Sequence, residues 1–315
     1  MDRNLALEFV RVTEAAAISA AQWIGRGDKI AADQAAVDAM RSRLNQIDFS
    51  GKVVIGEGKK DKAPMLFTGE KVGKGKAPEM DLAVDPLECT SSVAHGRYNA
   101  MSVIVAGKKS SLLSAPDTYM EKLAVGPAAK NMIDLDAPVK DNIRKVAKAL
   151  GKDVGEITVI VLDRPRHERL ISDIRQVGAR VRLITDGDVA GGIAPSLPNA
   201  SIDILMGVGA SAEAVLAATA IKILGGEILA RFKPQKESQE SELKKAGFKN
   251  LKKIYNSEEL AQGKQLTFTA TGVIEGPLLK GVDFRDNSIV THSLVIRGLS
   301  GTIRYITTHH HYRRM

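Results

Sequence analysis

The chain has 315 residues, is 44% hydrophobic and carries one cysteine, Cys89, so it can bury a sizeable core in one large or two ordinary domains and cannot form an intrachain disulfide. Its net charge of +8 favours anionic partners, while an aromatic content of 4% counts against a base-stacking nucleic-acid surface. No apolar run approaches the roughly 20 residues that span a bilayer, and Met1-Asp2-Arg3-Asn4 lacks a signal-peptide core, so a cytoplasmic protein with no membrane contact is expected.

The first element predicted is a helix over residues 3–24, with Leu5, Phe9, Val12, Ala16 and Trp23 on its apolar face and Gly25 and Gly27 ending it. A second helix is predicted from Lys29 to Leu44, where Val37, Met40 and Leu44 fall at helical spacing and Asp33 lies at the edge of the same stripe. Lys52 to Ile55 reads as a short buried strand running into Gly56-Glu57-Gly58, and Asp81 to Val84 as another running into Asp85-Pro86-Leu87-Glu88-Cys89-Thr90. Pro86, which has no N–H to donate, is expected to stop that ladder, and Leu87 to Thr90 to wind into a first helical turn. Residues 100–106 read as a strand, Tyr119 to Leu123 as a short helical turn, and Val139 to Leu150 as an amphipathic helix.

From Ile157 onward strands and helices alternate: strands at 157–162, 181–184, 202–206 and 226–232, helices at 167–177 and 213–224. Such alternation predicts an α/β fold, a sheet covered by helices, behind an α+β N-terminal part. The expected division is 1–155 and 156–315, with tail strands in 265–315 packing back onto the sheets.

Carboxylates and arginines recur just past predicted strand ends: Glu57, Asp85 and Glu88, then Arg164 and Arg166, Asp186, and Glu213. Open sheets gather ligands at the carboxyl ends of their strands. Each residue also has an ordinary reading. Asp33 suits a first helical turn, Asp186-Gly187-Asp188 suits a turn, a metal or sugar hydroxyls, and Glu213 suits a capped helix start. Taken together, an oxygen-only set of acids without a Cys or His cluster favours Mg²⁺ or Mn²⁺ over zinc. Arg164-Pro165-Arg166 forms a fork for a phosphate. The three adjacent histidines His309, His310 and His311 point alternately to opposite faces if they lie on a strand, which disfavours a shared ion.

These motifs, in this order and over nearly the whole length, resemble the class II fructose-1,6-bisphosphatases of the bacterial type, within the lithium-sensitive phosphatase superfamily. The matching stretches are Gly25 to Lys29 with Asp33, Ile55-Gly56-Glu57-Gly58 with Asp61 to Met65, Asp85 to Glu88 with Thr90, and Ala115-Pro116-Asp117 with Tyr119 to Leu123. Arg164 to His167, Asp186-Gly187-Asp188 and Gly207 to Glu213 complete them. The resemblance implies a layered α-β-α-β-α sandwich, assembled as a homodimer or homotetramer. It implies Asp33 and Glu57 as ligands of one metal ion, and Asp85, Glu88 and Glu213 as ligands of a second. It implies sugar-phosphate contacts from Glu88, Cys89, Thr90, Tyr119, Arg164, Pro165, Arg166, Asp186, Gly187, Asp188 and Ala210, with Thr90, Asp33, Asp61 and Lys29 in the catalytic set.

The implied reaction is metal-dependent hydrolysis of the 1-phosphate of fructose 1,6-bisphosphate, a step of gluconeogenesis. Cys89 stands where the family has glycine, Ser211-Ala212-Glu213-Ala214 where it reads Ala-Pro-Glu-Gly, and Lys62 where an acid is common. Three other readings accompany this one: sedoheptulose 1,7-bisphosphatase or dual activity, a phosphosugar-binding homologue disabled by Cys89, and a nucleic-acid binder suggested by charge alone.

Overall fold

A computed structural model describes residues 5–57 and 66–311. The chain divides into two compact units, one made of residues 1–112 and 263–315 and the other of residues 113–262. The expected boundary near residue 155 falls inside the second unit, because strand pairing draws residues 119–125 into the later sheet. The tail strands return to the first sheet.

In chain order, the first unit begins with helices α1 (Leu5–Ala21) and α2 (Lys29–Leu44), strands β1 (Ser50–Ile55), β2 (Lys71–Val72) and β3 (Glu79–Glu88), helix α3 (Thr90–His95) and strand β4 (Ala100–Lys108). The second unit holds β5 (Tyr119–Val125), α4 (Val139–Leu150), β6 (Thr158–Leu162), α5 (Glu168–Val177), β7 (Arg180–Ile184) and α6 (Val189–Ile193). It continues with β8 (Ile204–Ala210), α7 (Ser211–Ile223), β9 (Glu227–Phe232), α8 (Glu237–Lys245), β10 (Ile254–Asn256) and α9 (Ser257–Leu260). The first unit closes with β11 (Leu266–Ile274), β12 (Asp283–Arg285), β13 (Ser288–Arg297) and β14 (Thr302–His311).

The first unit's sheet runs β12-β13-β11-β4-β3-β1-β2, with β14 on the other side of β13. Only β1 and β3 are parallel within it. Alanine-rich α1 packs on β11 and β13, burying Phe9 edge-to-face on Phe49 at 5.7 Å. Beneath it the hydroxyls of Thr13, Thr271 and Ser293 bond in series, and Thr291 donates to the buried carboxylate of Glu14. Buried polar groups in a helix-sheet interface need such partners. The histidines lie on β14 as alternation requires. His309 and His311 stack on one face at 6.4 Å, while His310 turns to the other and meets Thr291 at 3.0 Å.

Two expectations about the first unit are corrected. Pro86 does not end its strand: β3 runs on to Glu88, and the register against β4 shifts between Asp85 and Glu88, so the missing N–H is absorbed in a bulge. Leu87 and Glu88 are therefore strand residues, and helix α3 starts only at Thr90.

The second unit's sheet runs β10-β9-β5-β8-β6-β7, with β6 parallel to both β7 and β8. Tyr119–Val125 is not a helical turn but an inner strand, antiparallel to β8 and β9. Met120, Leu123, Ala124 and Val125 are all buried. A strand covered on both faces loses the two-residue alternation that would mark it. Amphipathic α4 and α5 cover one face, packing Ile143, Val146, Ile171 and Ile174 against Leu123, Val159 and Val161.

His167 staples this sheet. Its Nδ1–H donates to the Leu162 carbonyl at 2.7 Å, and its Nε2 accepts the Val208 N–H at 2.8 Å. Burial lowers its pKa below the ordinary 6.5, helped by the charges of Arg166 and Arg164. Protonation would set N–H against N–H at Val208. A depressed folded pKa makes this contribution to stability complete above pH 6.5 and lost as pH falls through the folded value. The melting temperature of the parent should therefore fall more steeply between pH 7 and pH 5.5 than that of His167→Gln. His167→Ala should cost about 2–3 kcal/mol in urea unfolding at pH 7.5. Equal pH slopes in parent and His167→Gln would dismiss the staple.

Candidate active site

In the first unit the candidate residues collect where β1 and β3, running in parallel, end. Glu57 follows β1, its N–H donating to the Leu66 carbonyl at 2.9 Å. Gly56 permits that approach, since a Cβ there would lie 2.1 Å from the Leu66 oxygen. Asp85 and Glu88 sit on the last residues of β3, and Asp85 Oδ1 accepts the Leu87 N–H at 3.2 Å across the bulge. Glu88 is 2% exposed. Thr90 is the first residue of α3.

Helix α2 packs on α3. The loop before α2 is tied to α3 through Gly25 N–H to Val93 O (2.9 Å) and Gly27 N–H to Ala94 O (2.8 Å). Asp28 caps α2 by accepting the N–H groups of Ile30 and Ala31. Lys29 and Asp33 thus ride on a helix start fastened beside Thr90. Lys29 is exposed, while Asp33 is half-buried and its pKa is raised by burial. Asp61 lies outside the described residues.

Cys89 joins β3 to α3 with φ 73° and ψ 47°, in the left-handed region that favours glycine. Its thiol is buried and faces the Asn99 amide, Nδ2 to Sγ 3.6 Å.

In the second unit the candidates gather at one end of the sheet, formed by the carboxyl ends of β6, β7 and β8 and the amino end of β5. Tyr119 and Ala210 are register partners there. Pro165 opens the single turn that precedes α5, leaving Arg164 and Arg166 on either side of it. Arg164 donates to the Thr185 carbonyl at 2.5 Å and reaches Asp186 Oδ1 at 3.3 Å. Arg166 donates from Nε and one terminal nitrogen to the Val208 carbonyl, at 3.1 and 2.7 Å, and stands 5.2 Å over the Tyr119 ring. Two guanidinium groups are thereby held in place before any ligand arrives, with β7's following loop, Asp186-Gly187-Asp188, beside them.

A buried ion cluster lies behind them. Lys122, on β5, is 2% exposed and Asp188 3%. The Lys122 ammonium donates to both Asp188 carboxylate oxygens, at 2.6 and 2.9 Å, and to Glu213 Oε2 at 3.2 Å. Glu213 Oε2 also accepts the Ala210 N–H at 2.9 Å, as a third-position residue at a helix start does. Burial raises the Glu213 pKa to about 7, the charge of Asp188 adds to this, and Lys122 opposes it. Burial alone would lower the Lys122 pKa, but attraction to Asp188 and Glu213 outweighs it and keeps the ammonium charged. The altered loop residues Ser211 and Ala212 leave this helix start intact. Ser211 Oγ bonds the Pro116 carbonyl at 3.1 Å.

The first unit brings Asp33, Glu57, Asp85, Glu88 and Thr90 to the region of β1, β3 and α3. The second brings Tyr119, Arg164, Arg166, Asp186, Asp188, Ala210 and Glu213 to one sheet end. Among the described residues, no three His, Cys, Asp or Glu side chains stand close enough together to hold a metal ion. The donor chemistry nonetheless fits a hard divalent cation, since every candidate ligand is a carboxylate. Sequence reasoning did not single out Lys122, which ties Asp188 to Glu213. The available signal was a lysine that opens directly into an apolar run, Lys122-Leu123-Ala124-Val125.

A family model described as bacterial fructose-1,6-bisphosphatase, glpX-encoded, matches residues 3–310. The fructose-1,6-bisphosphatase class 2 of Haemophilus influenzae is 47% identical over 99% of this chain and 97% of its own length. Fructose-1,6-bisphosphatase 1 class 2 of Escherichia coli strain K12 is 45% identical over 100% of this chain and 97% of its own. A solved extragenic suppressor protein from Pyrococcus furiosus aligns over 60% of this chain and 68% of its own, at 13% identity and a TM-score of 0.31, too distant to bear on the argument. With its site residues sitting at strand ends and its whole length matched, the chain belongs to the bacterial glpX-encoded fructose-1,6-bisphosphatases.

Proposed function

We propose that the protein hydrolyses the 1-phosphate of fructose 1,6-bisphosphate to give fructose 6-phosphate and phosphate, as a cytoplasmic phosphoric monoester hydrolase of gluconeogenesis. One observation carries the reading. The sheet end of the second unit presents two preset guanidiniums, an aromatic ring and the Asp186–Asp188 loop together, in a chain aligned end to end with enzymes of that name. A guanidinium fork suits a phosphate that stays bound, and carboxylates suit sugar hydroxyls.

In this reading Arg164 and Arg166 grip the 6-phosphate. Their hold converts binding at one end of the substrate into alignment at the other. Asp186 and Asp188 accept hydrogen bonds from the sugar hydroxyls, and Tyr119 and Ala210 flank the sugar. Glu88, Cys89 and Thr90 contact the reacting phosphate. Thr90, donating its hydrogen bond to a carboxylate such as Asp33, orients the attacking water or takes its proton while passing its own to that carboxylate. Lys29 and Asp61 act in or beside the site.

Asp33, Glu57, Asp85 and Glu88 of the first unit and Glu213 of the second are the proposed carboxylate ligands of the divalent ions, with Mn²⁺ and Mg²⁺ the candidates. When bound, such ions neutralise charge building on the phosphoryl oxygens and make water more acidic. A homodimer or homotetramer is the proposed assembly.

Phosphate release from fructose 1,6-bisphosphate should vanish with a chelator and return with Mn²⁺ or Mg²⁺. Glu57→Ala or Glu213→Ala should lower kcat by about a hundredfold or more at saturating metal. Arg166→Ala should instead raise KM by about tenfold with kcat little changed. The reverse pattern would overturn this division of roles.

Cys89→Gly relieves a left-handed backbone worth about 1–2 kcal/mol but gives up a buried side chain and gains chain entropy when unfolded. Its melting temperature should stay within about 4 °C of the parent while kcat/KM rises. An unchanged kcat/KM would acquit the cysteine.

A further inference from the structure

We infer that Lys122 is a positioning residue of the active site, a resident ammonium that sets Asp188 and Glu213 as one charged unit. The inference rests on the proposed roles of these two carboxylates, one toward the sugar and one toward the metal.

An ammonium has three N–H donors. Here three carboxylate oxygens receive them: two from Asp188 at 2.6 and 2.9 Å, and Glu213 Oε2 at 3.2 Å. The donor capacity is spent within the cluster. The three groups come from separate elements: Lys122 from β5, Asp188 from the residue before α6, and Glu213 from the first turn of α7. The ammonium is thus the common point to which the three elements are referred.

The backbone is built around the cluster. A Cβ at Gly209 would lie 2.1 Å from Asp188 Oδ2 and 2.8 Å from Lys122 Nζ. Strand β8 therefore passes its bare backbone against the pair.

Stability alone does not account for the arrangement. A buried ion cluster is commonly matched by apolar residues of similar volume. One ammonium that touches both instead fixes where Asp188 and Glu213 stand relative to each other. A sugar contact and a metal contact both depend on such fixed placement. Without the ammonium, the two carboxylates repel and separate.

The test is binding of fructose 6-phosphate to the full-length, metal-free chain, measured by calorimetry. It uses Lys122→Met, which keeps an unbranched stem and removes the ammonium, and Lys122→Ala. Circular dichroism and melting establish that each variant is folded. Lys122→Met should weaken binding by about tenfold or more. Lys122→Ala should be similarly weak and regain most of the loss in propylammonium, which replaces the deleted atoms and their charge, but not in 1-propanol.

Binding within about twofold of the parent in folded Lys122→Met would overturn the inference. So would equal rescue by the alcohol, absence of rescue by the amine, or failure of both variants to fold, which would make Lys122 a scaffold residue only. A parent that does not bind fructose 6-phosphate would instead discard the sugar assignment of Asp188, and the inference with it.

Discussion

The parallel alignment of β6 with β7 and β8 is the constraint from which the second unit's site follows. Parallel strands release their following loops at one edge. The Arg164–Arg166 turn, the Asp186–Asp188 loop and the Ala210–Glu213 helix start therefore emerge side by side. Antiparallel β5 enters from that same edge, which adds Tyr119 opposite Ala210. The chemistry is short-range, but its placement is a property of strand direction. Reversing any one of these strands would carry its residue to the far end of the sheet.

Charge is what this edge has to manage. Two arginines point outward with their carbonyl partners already engaged, so their geometry does not wait for the ligand. Two carboxylates stand behind them, buried, with one ammonium between. Burying each of these charges alone would cost several kcal/mol. Grouping them shares the penalty and fixes their directions. His167 works on the same strands without charge: a neutral imaging of donor and acceptor, one nitrogen to Leu162 and the other to Val208, locks β6 to β8 behind Arg166.

Much of this could be read from the residues in order, and the exceptions have physical causes. Helices α2 and α4 fall on their predicted residues because Val37, Met40 and Leu44, and Ile143, Val146 and Ala147, repeat at helical spacing under clear stop signals. The strand-end acids and arginines were visible because local composition marks where a strand stops. Tyr119–Leu123 was misread because a strand buried on both faces has no alternation, and Met120 and Leu123 happen to fall three apart. Lys122 went unseen for a related reason: its importance depends on Asp188 and Glu213, far along the chain, and no local pattern encodes that meeting. Pro86 misled because proline forbids a ladder bond but not a bulge.

Cys89 shows where local and global demands part. A left-handed turn between β3 and α3 is what lets Glu88 end a strand and Thr90 begin a helix on adjacent residues. Glycine meets that demand freely, and cysteine at a cost of about 1–2 kcal/mol. The surroundings absorb that cost. The thiol is buried beside Val93 and Leu87 in the first unit's core and receives the Asn99 amide, and Asn99 is itself left-handed at φ 71° and anchored by its N–H to Glu275. Apolar contact and a weak N–H to sulfur contact thus offset backbone strain. The turn is held by the elements on either side of it, so the residue at its apex changes the strain carried there more readily than it changes the fold.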